Sequence, residues 1–136
     1  MDDEWDAGTV RFLEVLGRAL EVGLIGFGDM CMQGESAAKI SSVCTVYAES
    51  EVNSLISKGE TRENIIAGIH ESVASRVSAL AKRGGVVKPV MMTGGGAKKM
   101  GAVRALEAKL ETTIQVSEYA QVNGAIGAAI LAVKQV

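Results

Sequence analysis

The sequence is poor in several kinds of residue, and each shortage excludes a class of protein. Two cysteines in 136 residues are too few for a disulfide framework and are typical of a reduced, cytoplasmic setting. The net charge of −2 argues against nucleic-acid binding, because phosphate neutralisation needs a clear excess of cations. No apolar run approaches the roughly 18 residues of a membrane span. The acidic residues 2–4 are also unlike the basic start of a signal peptide.

The residues that are abundant predict a single globular domain. Hydrophobic residues make up 48% of the chain and charged residues 22%, as in folded domains and unlike disordered chains. A length of 136 residues supports one domain with a substantial core and leaves no room for a second of full size. Sixteen glycines stand against 4% aromatic residues. So many small residues predict close backbone packing or backbone contact with a ligand.

Hydrophobic spacing predicts an α/β domain in which helices flank a short sheet. Thr9 and Thr61 are the expected N-caps of the first helix and of the long third one. Glycine and alanine in the last helix permit very close packing against a neighbour. The predicted helices are residues 7–22, 49–57, 61–82, 98–110 and 122–133, and the predicted strands are residues 40–44, 86–93 and 113–116.

The strongest functional signal is a run of three glycines, Gly94, Gly95 and Gly96, between a predicted strand and a predicted helix. Backbone without side chains lets a flat ring or a phosphate come within hydrogen-bonding distance. The start of the helix adds unpaired amides and partial positive charge. The run matches neither a Walker A loop nor a Rossmann fingerprint. A tight turn that binds no ligand is the alternative interpretation.

Cys44 and His70 are the other candidates for chemistry. Cys44 ends a predicted strand, where a lone cysteine is usually a small core residue. Cys31 shares no Cys-x-x-Cys spacing with it and has no nearby histidine, so the two cysteines do not make a metal site within one chain. A site shared between two subunits stays open. His70, the single histidine, is expected to be a partly buried residue with satisfied hydrogen bonds rather than a catalytic one.

Four segments carry a family resemblance: AGTVRFLE at residues 7–14, KISSVCTVYAESEV at 39–52, IIAGIH at 65–70 and TGGGAK at 93–98. From about residue 4 to residue 133, the chain resembles the activators of 2-hydroxyacyl-CoA dehydratases and the related ATP-binding subunits of benzoyl-CoA reductase. The resemblance implies the fold of actin, Hsp70 and sugar kinases, in which two ribonuclease-H-like domains hold ATP in a cleft. It also implies homodimers bridged by one 4Fe–4S iron–sulfur cluster, with ATP hydrolysis driving an electron into a partner dehydratase or reductase.

The same resemblance implies roles for individual residues. Cys44 corresponds to one ligand of the cluster. Gln121 belongs to the turn that leads into the closing helix, close to the nucleotide. The loop on the adenosine side of ATP or ADP, which the family binds with Mg²⁺, corresponds to Gly94, Gly95, Gly96 and Lys98.

The sequence departs from the family in two ways. Trp5 occupies the position of the second cluster cysteine, so a dimer would supply two thiolates where a four-iron cluster normally takes four. The sequence therefore argues against a bound cluster. Residues 1–136 also resemble only the C-terminal half, as a single and incomplete ribonuclease-H-like domain. The N-terminal domain and the opening β-hairpin, which supply the phosphate loops and the groups that hold Mg²⁺, are missing.

These omissions predict how the chain behaves. We expect it to hydrolyse ATP poorly by itself, since phosphoryl transfer depends on positioning and charge neutralisation around the phosphates. We also expect the unprotected edge of its short sheet to be covered, either in a homodimer or by a complementary chain that carries the missing half.

Three functions stay open at this point. The first is the adenine-nucleotide-binding part of an ATP-dependent electron activator for a 2-hydroxyacyl-CoA dehydratase or a benzoyl-CoA reductase. The second is a non-catalytic nucleotide-binding or oligomerisation module that has lost the iron–sulfur cluster, which Trp5 favours. The third is a folded remnant that binds nothing. Neither a nucleic acid nor a membrane is an expected partner.

Overall fold

A computed structural model of the chain describes residues 4–23, 27, 30, 33–41 and 45–134. Helices and strands alternate along the second half of the chain, which confirms the α/β class. Among the described helices, none combines the length and the apolar character that crossing a bilayer requires. The elements in chain order are α1 (Glu4–Ala19), α2 (Thr45–Ser57), α3 (Arg62–Gly84), β1 (Val90–Met92), a 3₁₀ helix (Gly95–Lys98), α4 (Met100–Leu110), β2 (Ile114–Val116) and α5 (Asn123–Lys134).

The two predicted N-caps have different outcomes. Thr61 does cap α3, because its hydroxyl oxygen accepts a hydrogen bond from the Asn64 amide at 3.3 Å. Thr9 does not cap α1, since the helix already begins at Glu4 and Thr9 lies inside it. Helix α3 ends as expected at a glycine pair, where Gly85 adopts φ +81° and its amide donates to the Lys82 carbonyl.

The predicted strand over residues 40–44 is not found where it can be checked. Ile40 and Ser41 have irregular backbone, and residues 42–44 lie outside the described residues. Helix α2 begins at Thr45, four residues earlier than the sequence predicted. Ala48 and Val52 lie one helical turn apart and are both fully buried, so helical burial overrides the β-branched character of this segment.

Helices α1, α2 and α3 enclose the larger of two hydrophobic cores. Each contributes side chains at helical spacing, and the first half of α3 runs through the middle of the cluster. The alternation of apolar and charged residues predicted most of these buried positions, but Ile56 in α2 and Leu80 in α3, which the same spacing places inward, are 40% and 37% exposed. Its buried members are Phe12, Leu13, Leu16, Leu20, Phe27, Ile40, Ala48, Val52, Ile65, Ile66, Ile69 and Val73.

The segment before residue 42 lies directly on α3. The Ala38 amide donates to the Asn64 carbonyl at 2.9 Å, and the Ser36 amide donates to the Asn64 side-chain oxygen at 3.1 Å. Gly68 permits this approach, because a Cβ there would overlap the carbonyl oxygen of Ala38. One asparagine and one glycine on α3 thus fix the path of the chain as it approaches Cys44.

The second core joins α3 and α4 to a small parallel sheet. Ala74 on α3 packs with Val103 and Leu106 on α4 and with Ile114 on β2. In the sheet, Val90 pairs with Ile114, Met91 with Gln115 and Met92 with Val116. The strand predicted over residues 86–93 is shorter in the structure, because β2 offers only three residues as pairing partners.

Helix α5 closes the described chain without entering either core. It begins and ends within one residue of the sequence prediction, but none of its residues is buried. The very close packing that its glycines and alanines permit is therefore not used within the part of the chain that the structure describes. The composition of a helix shows which neighbours it can accommodate, whereas a contact also requires that the neighbour be present.

Candidate functional site

The triple-glycine segment lies at the carboxyl end of β1. Gly94 has φ +90° and ψ 179°, a backbone conformation that is essentially restricted to glycine. Gly96 is buried, and a Cβ on it would come 3.4 Å from the Met92 methyl group. The sequence thus has a specific reason for glycine at Gly94, where the chain turns sharply away from the strand.

A 3₁₀ helix, rather than the start of an α-helix, follows the turn. The Ala97 amide donates to the Gly94 carbonyl at 3.2 Å, and the Lys99 amide donates to the Gly96 carbonyl at 3.0 Å. Helix α4 begins at Met100, two residues after the predicted start at residue 98. Lys99 has extended backbone (φ −96°, ψ 95°) and separates the two helices. The amides of Gly95 and Gly96 precede the first hydrogen bond of the 3₁₀ helix and have no acceptor within it.

A second turn is held against the glycines by a backbone hydrogen bond. The Gly94 amide donates to the carbonyl of Ala120 at 2.7 Å. Ala120 is buried in the turn of residues 117–122, which connects β2 to α5. Because β1 and β2 are parallel, both turns lie at the carboxyl edge of the sheet. In open α/β sheets this edge is the usual place for a ligand.

The structure brings most of the sequence-predicted nucleotide residues to this edge. Gln121 is exposed and follows Ala120 directly, so it lies next to the glycine turn. Lys98 is exposed at the end of the 3₁₀ helix, which follows the carboxyl end of β1. The site therefore combines a glycine turn, a cation and a side-chain amide, all of which can form hydrogen bonds with a polar ligand.

Ala120 is the site residue that sequence reasoning missed. Its role lies in the backbone carbonyl, which no side-chain pattern reports. The signal that could have found it is topological. Once residues 90–92 and 114–116 are paired as parallel strands, the segments that follow them must meet at one edge.

The candidate metal ligand Cys44 lies outside the described residues, next to Thr45 at the start of α2. Within the described ranges, no three or more histidine, cysteine or acidic side chains come together in a way that could hold a metal ion. Trp5 lies in the first turn of α1, which places the position of the expected second cysteine in a helix.

His70 is a structural residue, as the sequence predicted, and is even more deeply buried than expected. Its ring is 1% exposed and packs edge-to-face on Phe27, with 5.7 Å between ring centroids. Nδ1 lies 3.0 Å from the Ile66 carbonyl oxygen. Since a carbonyl only accepts, Nδ1 carries the proton. Burial lowers the pKa of His70 below its ordinary value, so the ring is neutral inside the core.

A separate cavity of about 480 Å³ lies between residues 37–41 and the middle of α3. Lys39 and Arg76 line it, together with Glu71, which forms an ion pair with Lys109 at 2.7 Å. The Arg76 guanidinium lies 5.2 Å from the centre of the Phe12 ring, and its pKa is lowered by desolvation. The surface just before Cys44 is thus partly cationic.

Comparison with known proteins adds relatives to this geometry. The chain is 52% identical to the activator of lactoyl-CoA dehydratase from Anaerotignum propionicum over 132 residues, which are 97% of this chain and 51% of the relative. It is 50% identical to the (R)-2-hydroxyglutaryl-CoA dehydratase activating ATPase of Acidaminococcus fermentans, covering 99% of this chain and 52% of that protein. The chain therefore spans about half the length of the curated relatives it matches.

A solved structure of a dehydratase activator is also similar to this chain in three dimensions. The activator of the 2-hydroxyisocaproyl-CoA dehydratase from Clostridium difficile, with bound ADPNP, superposes with a TM-score of 0.86 at 46% identity. The match covers 92% of this chain and 47% of that one. It confirms the predicted fold class, an incomplete domain of the actin and Hsp70 type. Residues 1–132 also match the BadF/BadG/BcrA/BcrD ATPase family, and the chain belongs to that family.

Proposed function

We propose that this chain is the adenine-nucleotide-binding half of an ATP-dependent electron activator that serves a 2-hydroxyacyl-CoA dehydratase or a benzoyl-CoA reductase. The observation that carries the proposal is the hydrogen bond of 2.7 Å between the Gly94 amide and the Ala120 carbonyl. It joins the two turns at the carboxyl edge of the sheet. This proximity of the two turns supports their assignment to one purine-nucleoside site.

The proposed site has three parts. Gly94, Gly95 and Gly96 form a wall without side chains, which lets the flat base approach the backbone. Gln121 offers an amide that can donate to and accept from the base or the ribose, and Lys98 adds a positive charge. The Clostridium difficile relative with bound ADPNP superposes with a TM-score of 0.86, which supports an adenine nucleotide as the ligand.

In this proposal, ATP hydrolysis and electron transfer need more than the half of the ATPase that residues 1–136 represent. Residues 1–136 correspond to one half of the family ATPase, and the other half supplies the groups that position the phosphates and Mg²⁺. A homodimer is the inferred assembly, and the setting is cytoplasmic. The partner enzyme is a dehydratase or a reductase, by analogy with the activators of lactoyl-CoA and (R)-2-hydroxyglutaryl-CoA dehydratases.

A second function is favoured by one observation, the presence of Trp5 where the resemblance places a cluster cysteine. In that case the chain is a nucleotide-binding module that has lost the cluster. Cys44 alone then provides no electron path. Iron content and an electron-transfer assay with a dehydratase partner separate the two functions, because only an activator reduces its partner at the expense of ATP.

Nucleotide binding is tested on the chain itself. Isothermal titration with ADP and ATP is compared for the wild type, Gln121→Ala and Lys98→Ala, with Lys58→Ala as a matched control. Lys58 is also exposed but lies after α2, away from the sheet edge. Loss of a hydrogen bond or charge at the site is expected to weaken binding about tenfold, equivalent to about 1.4 kcal/mol, whereas Lys58→Ala binds like the wild type.

Thermal melting tests whether the chain binds an adenine nucleotide at all. A ligand that binds only the folded state stabilises it by about 2.7 kcal/mol at 100 times its dissociation constant. If millimolar ADP and millimolar ATP both leave the melting temperature unchanged, the nucleotide site proposed here does not exist.

A further inference from the structure

The cavity between residues 37–41 and α3 lies over a helix face with small side chains. Spacings of three and four residues place four of its lining residues on this face, namely Gly68, Ser72, Ser75 and Arg76. At Gly68 the crossing segment comes so close that a Cβ would overlap its backbone. One and two turns later, the two serines leave the space below the segment open. The resulting volume of about 480 Å³ is typical of small-molecule sites, which occupy about 300–1,000 Å³.

The lining of this cavity carries a net positive charge. Lys39 and Arg76 are cations, and Glu71 is the single acidic residue among the described residues that line it. The Glu71 carboxylate is already paired with the Lys109 ammonium at 2.7 Å, so it offsets little of the charge of the two lining cations. Lys39 has no ion-pair partner in the described part of the chain. The cavity is therefore cationic in a chain whose net charge is −2.

Arg76 is held beside the cavity by an aromatic ring. Its guanidinium lies 5.2 Å from the centre of the Phe12 ring, and the residue is partly buried. Desolvation lowers the pKa of Arg76, although the guanidinium keeps its charge. Water screens such a cation less than it screens a fully exposed one. An anion that enters the cavity therefore meets a positioned cation, which strengthens a charge-assisted hydrogen bond.

Ser72 and Ser75 add hydroxyl groups that their own helix does not use. Other helical serines donate their hydroxyls to a backbone carbonyl three or four residues earlier, as in Ser50, Ser57 and Ser78. Within the ranges that the structure describes, no protein group accepts a hydrogen bond from the hydroxyl of Ser72 or Ser75. Both hydroxyls can donate to an oxygen of a ligand.

We propose that this cavity binds the phosphate group of a small phosphate monoester. A phosphate group carries about two negative charges at neutral pH and has three strong acceptor oxygens, which match two cations and two hydroxyl donors. A carboxylate has one charge and two oxygens, so it would leave part of this set unused.

The size and the position of the cavity support an ester and a separate site. A water molecule takes about 30 Å³ in the liquid, so 480 Å³ has room for a phosphate group and for the organic part of the ester. All described lining residues lie between residues 37 and 76, whereas the candidate nucleotide residues lie between 94 and 121. The cavity is therefore distinct from the nucleotide site.

Titration of the isotope-labelled chain, followed through its amide signals in NMR spectra, measures the affinity and locates the site. Glycerol phosphate is the monoester probe, and inorganic phosphate and acetate are compared with it at the same ionic strength. Amide shifts are expected at residues 39–41 and 71–76. Glycerol phosphate should bind more tightly than inorganic phosphate, and acetate should bind about tenfold more weakly than glycerol phosphate because it has only one charge.

Two substitutions should change the affinity for glycerol phosphate in opposite directions. Lys39→Ala removes a cation and should weaken binding about tenfold. Glu71→Gln removes the acidic residue and should strengthen binding about twofold. The matched control is Lys58→Ala, since Lys58 is exposed like Lys39 but does not line the cavity, and it should bind like the wild type.

Four results would overturn the proposal. Shifts confined to residues 94–98 and 120–122 would place the phosphate at the nucleotide site instead. Acetate or inorganic phosphate binding as tightly as glycerol phosphate would exclude a phosphate monoester as the specific ligand. Equal weakening by Lys39→Ala and Lys58→Ala would show only a diffuse attraction to surface lysines, and unchanged binding by Lys39→Ala would remove the cavity from the site. Failure of ADP to bind would leave each of these readings unchanged, because it concerns the glycine turn alone.

Discussion

Two regions of this molecule use the same apolar residue types in opposite ways. In the core formed by α1, α2 and α3, Ile69 is completely buried, whereas Ile130 in α5 is half exposed. The first region buries its hydrophobic side chains within the chain. The second leaves that surface exposed within the described part of the chain. The difference teaches that the same residue type forms the folded core in the first region and contributes no buried residue in the last helix.

The candidate nucleotide site lies between these two regions. On one side, β1 and β2 pack on α3 and α4 through the second core. On the other side, the turn that carries Gln121 runs directly into α5. The turn of residues 117–122 therefore connects α5 to Gly94 through the Ala120 carbonyl.

The largest effect in this comparison is expected from Ile69→Ala. The side chain is fully buried in the core formed by α1, α2 and α3. The substitution therefore loses the favourable free energy of burying the removed atoms and leaves a cavity. Such changes cost about 2–5 kcal/mol in the free energy of unfolding. Urea denaturation followed by circular dichroism measures this loss. A cost below about 1 kcal/mol would mean that the α1–α3 core is much looser than its complete burial implies.

The pH dependence of stability is the next largest effect, and it also arises in the core formed by α1, α2 and α3. Burial lowers the pKa of His70, so the folded state resists a proton that the unfolded chain accepts below its ordinary pKa of about 6.5. The unfolded state therefore binds more protons, and stability decreases as the pH falls from about 7 towards 5. The slope from this single group is at most about 1.4 kcal/mol per pH unit.

His70→Phe isolates this contribution. The variant keeps an aromatic ring against Phe27 but has no group that titrates there. Chemical denaturation at half-unit intervals between pH 5 and 8 should show a flatter profile near neutral pH for the variant. His70 is the single histidine, so equal slopes between pH 6 and 7 would contradict its neutral, buried state.

The sequence predicted those features that depend on neighbours along the chain. The apolar stripe of α3, its cap at Thr61 and the position of the glycine turn follow from spacing and from residue type. The helical state of residues 45–47 could not be predicted in this way, because it depends on burial of Ala48 and Val52 against other helices. The contact between Gly94 and Ala120 likewise needs the pairing of two strands that are distant in the sequence.

The smallest effect in this comparison is expected from Ile130→Ala, which makes the same substitution in the exposed helix α5. In the isolated chain the side chain is 52% exposed, so its removal leaves no cavity. Alanine also has the higher helix propensity, by a few tenths of a kcal/mol. The free energy of unfolding is therefore expected to stay within about 0.5 kcal/mol of the wild type, against several kcal/mol for Ile69→Ala. A cost above about 2 kcal/mol in the isolated chain would mean that α5 is already packed in solution, and the contrast between the two regions would no longer hold.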